Sequence, residues 1–106
     1  MECKNVTLVK NGVALFPDAA TVRGRKHLRQ LIKLRESGLR AACFFLVQRS
    51  DAQSFAPAAE IDPEYARLFR EAARKGVEMY PYMGIVKFEW LALGGLLPLQ
   101  YVSNSS

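Results

Sequence analysis

The apolar and polar positions of this chain change period several times, and each change marks an element. Residues 2–10 alternate, with Val6 and Leu8 apolar and Cys3 partly so, which predicts a strand. Period-two geometry places Glu2 and Lys4 on one face and turns Cys3 toward the core. Asn11-Gly12 is a two-residue hairpin signal, because both residues tolerate positive φ. Val13–Phe16 is then the returning strand, closed by Pro17. With Thr21 or Asp18 as cap, Leu28, Leu31, Ile32 and Leu34 keep helical spacing to about residue 37, and Gly38 is a suitable stop. Residues 40–48 form a continuous apolar run, the pattern of a central strand buried on both faces. Residues 49–61 read as a loop. Asp62 then caps a second helix, with Pro63 at its first position, Glu64 in its first turn and Gly76 after its end. Tyr65, Leu68, Phe69 and Ala72 supply its apolar face. Residues 77–86 and 87–93 predict two further strands, the second broken by Gly94-Gly95 and Pro98.

The resulting order, β-β-α-β-α-β-β, predicts an α/β (α+β) domain with a mixed central sheet flanked by two helices. The 106 residues suffice for one domain, expected over 1–98 with a flexible tail at 99–106. A strand beginning at residue 2 would normally have something before it, so the reading expects an N-terminally truncated unit with marginal stability.

Charge sharpens this picture. Residues 1–49 carry ten Lys or Arg against three acids, whereas residues 50–106 carry five against seven. A one-sided basic field points to a polyanionic partner. The cysteines, Cys3 and Cys43, are read as reduced core residues of a cytoplasmic protein. With His27 the one histidine, a four-ligand zinc site is excluded by count. No apolar run reaches the roughly 20 residues of a membrane span, and no signal-peptide pattern opens the chain.

Two groups of residues carry candidate chemistry. Glu2-Cys3-Lys4 presents a carboxylate and an ammonium two residues apart on a strand. Such a carboxylate can ligate Mg²⁺, and the lysine can orient water or stabilise phosphate charge. By itself the triplet is a weak signal, and two solvated strand residues describe it better than a metal site. The first helix is more distinctive: Arg23, Gly24, Arg25, Lys26, His27 and Arg29 crowd its first two turns, where the helix dipole also favours anions. Gly24 is expected to let a sugar-phosphate backbone approach closely. His27 fits a structural hydrogen-bonding role as well as a phosphate contact. Arg49, in the loop after the central strand, is a further candidate phosphate contact, with Asp51 beside it as a turn residue. Phe44, Phe45, Tyr65, Phe69, Tyr80, Tyr82 and Trp90 lie at core spacings rather than interleaved with Arg and Lys.

The stretch ECKNVTLVKNGVALFPDAATVRGRKHLRQLIKL resembles the sugar fermentation stimulation (SfsA) family, in which a glutamate-x-lysine strand leads into VTL, a GVALFPDA hairpin and a T-x-RGxKHLxxL helix. FFLVQRSDAQSFAPAAEIDPEYARLFREAARKGVEM and LGGLLPL are similar to that family too. The resemblance implies a restriction-endonuclease-like core of the PD-(D/E)xK type behind an N-terminal OB-like domain, DNA binding, and a role in regulating sugar metabolism. It also implies a metal-binding aspartate upstream of the E-x-K strand, a position that nothing in this chain precedes Glu2 to supply. Val22 stands where the family usually carries a glutamate.

Three readings follow. One is a non-catalytic domain that grips the DNA backbone with low sequence specificity. The second is a Mg²⁺-dependent nuclease using Glu2 and Lys4, with Asp18 as the one nearby second carboxylate. The third is a fragment needing a missing N-terminal region. The oligomeric state is left open.

Overall fold

The structure is a computed structural model and describes residues 3–83 and 95–96. Within those residues the order is β1 (Cys3–Val6), β2 (Leu8–Lys10), β3 (Val13–Phe16), α1 (Val22–Glu36), β4 (Ala42–Val47), β5 (Ser54–Pro57), α2 (Pro63–Arg74), β6 (Glu78–Met83) and β7 (Gly95–Leu96). The strands form two sheets where the sequence pattern predicts one. The larger runs β1-β4-β6-β7 and the smaller β2-β3-β5.

The predicted N-terminal strand is interrupted at Thr7. Its first half pairs parallel with β4, and its second half joins the other sheet. An alternating pattern does not show this break, because apolar residues recur on both sides of Thr7, buried at Val6 and half-buried at Leu8 and Val9. Asn11 and Gly12 take φ of 53° and 79°, the left-handed pair that a two-residue hairpin turn requires, and Lys10 opposes Val13 across it.

β4 is central as expected, with β1 and β6 parallel on its two sides. Cys43, Phe45 and Val47 are fully buried on its inner face. Ala42 and Phe44, facing the other way, are only half-buried. Residues 49–61 were expected to be a loop, yet Ser54–Pro57 is a strand, parallel to β3. Its residues have little strand propensity. What holds it is its neighbour: the Gly12 carbonyl accepts from the backbone N–H of both Gln53 and Ser54, at 2.6 and 3.2 Å. β5 is an edge strand, the position that tolerates Pro57. Gly95, expected with Gly94 and Pro98 to break a strand, lies with Leu96 in β7, which pairs antiparallel with Tyr82 and Met83. The strand expected over 87–93 and the tail at 99–106 lie outside the described residues.

The helices fill the space between β3 or β5 and the return to the larger sheet. Leu28, Leu31 and Ile32 of α1 and Tyr65, Leu68, Phe69 and Ala72 of α2 are buried. They meet a cluster of rings: Phe45 lies 4.6 Å from Phe55 and 5.8 Å from Phe69, centroid to centroid, and Phe16 packs edge-on to Phe45 and Tyr65. Leu34, expected on the apolar face, is exposed.

Candidate nucleic-acid interface

The two helices run side by side in the same direction. At their N-terminal ends Arg25 meets Asp62 at 3.1 Å and Arg29 meets Glu64 at 3.5 Å; at their C-terminal ends Glu36 meets Lys75. The junction at the N-termini is built on Asp62, whose side chain is 2% exposed. One oxygen caps α2 by accepting the Tyr65 N–H at 3.0 Å. The other accepts the Thr21 N–H at 2.9 Å and the Arg25 Nε–H at 3.1 Å. Thr21 in turn caps α1, its Oγ1 accepting the Gly24 N–H at 2.9 Å. Burial works to raise the Asp62 pKa, but the two backbone donors and Arg25 outweigh it and hold the carboxyl below its ordinary value.

This junction changes what several candidate residues do. Gly24 is buried. A Cβ there would lie 2.7 Å from the Thr21 Cγ2 and 3.1 Å from the Tyr65 ring. Its missing side chain therefore admits the cap and the neighbouring helix, where the sequence reading expected it to admit a nucleic-acid backbone. Arg25 is half-buried and committed to Asp62. Arg29 leans toward α2, and His27 is half-buried on the opposite flank of α1. Arg23, Lys26 and Lys33 are exposed on the outer face of α1.

Arg49 is held in the loop after β4. It makes two hydrogen bonds to the Asp51 carboxylate, at 3.1 and 2.6 Å, and a longer one to the Thr7 carbonyl. Asp51 is lowered in pKa by that partner.

The Glu2/Lys4 pair is only half within the described residues, since Glu2 lies outside them. The facing of β1 is corrected. Lys4 is 7% exposed and Cys3 is exposed, so the lysine points inward and the cysteine does not. Val6 must face the core, and period two carries Lys4 with it. The Lys4 Nζ lies 5.9 Å from the Phe16 ring centroid, and its aliphatic stem can pack among apolar neighbours. Asp18 is exposed in the turn after Pro17. Among the described residues no group of three or more His, Cys, Asp or Glu side chains converges as a metal site.

The sequence reading missed two features. Arg67, Arg70 and Arg74 of α2 join the same helix layer, although they belong to the acid-rich half of the chain. Phe44, Tyr80 and Tyr82 are not core. They stack in a row, 5.2 and 6.3 Å between successive centroids, half-buried on the sheet face away from the helices. Beside them Arg40 and Tyr80 bond Glu78, and the arginine is the main cause that brings the Glu78 pKa down to about 2.

The class these features define is a mixed α/β domain of two sheets whose paired helices present a basic outer face. The chain belongs to the sugar fermentation stimulation protein family: residues 1–89 match the model of that family's RE domain. Sugar fermentation stimulation protein homologs from Lawsonia intracellularis and Syntrophobacter fumaroxidans are 54% and 60% identical to it, over 93% and 89% of this chain. The chain spans only 38% and 36% of those relatives. A solved structure described as Pyrococcus furiosus SfsA in complex with Ca²⁺ is 30% identical, with a TM-score of 0.81 over 92% of this chain and 43% of its own.

Proposed function

We propose that this domain binds the phosphate backbone of DNA through the outer face of α1, and that it serves the regulation of sugar-metabolism genes. The observation that carries the reading is the sorting of charge on the helix layer. The acids Asp62, Glu64 and Glu36 are engaged by basic partners along the line where the helices meet, and Glu71 is paired within α2 by Arg67 and Lys75. Lys26 and Lys33 project outward, away from that line. They lie seven residues apart, roughly 10 Å along the axis, so both can reach phosphates on one strand. Among the described residues no side-chain set on this face is arranged to read base edges, which supports binding of low sequence specificity.

The test is fluorescence anisotropy of a labelled duplex at several salt concentrations, comparing the chain with its Lys26→Glu, Lys33→Glu double variant. Binding is expected to weaken by a factor of ten or more in the variant, and the parent's log affinity should fall with log salt by about 0.9 per phosphate neutralised. Failure to bind at 50 mM salt would refute the reading.

The Ca²⁺ of the Pyrococcus relative favours a second reading, a divalent-metal nuclease in which Glu2 and Lys4 act on phosphate. The described residues do not fit a metal: Lys4 is drawn inward over Phe16, and Asp18 is exposed and joins no cluster of ligands. No chemical step is assigned to a metal here. Repeating the titration with Mg²⁺ and running the DNA on a gel separates the readings, since shortened DNA belongs to the nuclease alone.

A further inference from the structure

The charge of α2 looks unremarkable in the sequence, because its three arginines sit in a segment with more acids than bases. The fold redistributes those charges. Glu64 meets Arg29 of α1 across the seam and Arg67 on its own helix, while Glu71 is paired within α2 by Arg67 and Lys75, the latter also reaching Glu36 of α1. Arg70 and Arg74, one helical turn apart, are exposed on the flank beyond that seam. On α1 the same division holds, with Arg25, Arg29 and Glu36 in the seam and Lys26 and Lys33 beyond it. The helix layer is therefore a neutral seam between two basic rails.

We infer that the second rail, Arg70 and Arg74, is a further part of the DNA-binding surface, and that one duplex lies across both helices with each rail on a different strand. The inference rests on the proposed DNA binding by α1 and extends it to a surface that the sequence assigned to no partner. Packed helices lie about 8–10 Å apart. Side chains directed outward from each place the rails at a spacing close to the roughly 12 Å width of the major groove. A single strand fits this surface poorly. The α2 aromatics Tyr65 and Phe69 are buried beneath it, so among the described residues α2 offers this face no ring on which bases can stack. Charge complementarity thus favours a duplex, whose two backbones both carry phosphates outward.

The experiment compares the parent chain, Arg70→Gln with Arg74→Gln, and Lys26→Gln with Lys33→Gln, on a labelled DNA duplex from 50 to 200 mM salt. All four positions are exposed, and circular dichroism before titration verifies that each variant is folded. The expected result is that each pair weakens binding by about tenfold and lowers the salt slope by about two. Loss confined to the Lys26/Lys33 pair would overturn the two-rail inference while leaving binding by α1 intact. A parent chain that does not bind would remove the underlying reading itself. Anionic lipid vesicles supply a control: if the Arg70/Arg74 pair changed vesicle adsorption and left DNA affinity unchanged, the second rail would belong to a membrane surface and the inference would fail.

Discussion

Asp62 concentrates more consequences than any other described residue. It caps one helix, accepts from the residue that caps the other, and pairs with Arg25. Replacing it with Ala removes all three acceptor roles and should cost about 2–3 kcal/mol in urea unfolding, from a lost cap and newly unsatisfied donors. Asp62→Asn keeps an acceptor for the cap and should cost less. The sign with pH follows from the depressed folded-state pKa. The stabilisation is complete well above the unfolded value near 3.9 and is lost as pH falls through it toward the lower folded value. Urea midpoints from pH 6 to pH 3 should therefore fall more steeply for the parent than for Asp62→Asn, and parallel curves would refute the assignment. Gly24→Ala tests the other corrected residue. Alanine favours a helix by about 1 kcal/mol over glycine, yet here its Cβ presses on Thr21 and Tyr65. A net loss of about 1–2 kcal/mol is expected, with DNA affinity unchanged while the protein stays folded.

Among the elements, β4 carries the architecture. It lies between two parallel partners, and Phe45 from its inner face touches rings from β3, β5 and α2. Phe45→Ala should cost about 3–5 kcal/mol. Total stability for a domain is about 5–15 kcal/mol, so this loss should lower the melting temperature by more than about 10 °C by far-UV circular dichroism; a cooperative melt near that of the parent would show that the ring cluster is not the central support. β5 illustrates the reverse case. Alanine and proline in SFAP suggest no strand, and only the Gly12 carbonyl and the β3 edge make one. Periodicity could show an element whose own residues carry its pattern, as in α1, α2 and β4. It could not show one made by a neighbour.

Across the whole molecule, surface chemistry divides by face. The helix layer is basic outward and neutral at its seam, whereas the far side of the larger sheet shows stacked Phe44, Tyr80 and Tyr82. Among the described residues no helix is long and apolar enough to cross a membrane.

The sequence by itself determined the helices and the Asp62 cap of α2, the hairpin, the central strand, the family and the basic character of α1. Each is written in local spacing or in residue types whose preference acts over a few positions. Tertiary structure alone decided that the sheet is two sheets, that Lys4 rather than Cys3 faces inward, and that Gly24 serves packing. It also decided which basic residues of the two helices are paired and which, such as Arg70, Arg74, Lys26 and Lys33, stay exposed, because ion pairing between the helices joins side chains some forty residues apart, such as Arg25 and Asp62. No window along the chain contains both partners of such a pair, so only the packed helices reveal which charges are spent on each other and which are left facing outward.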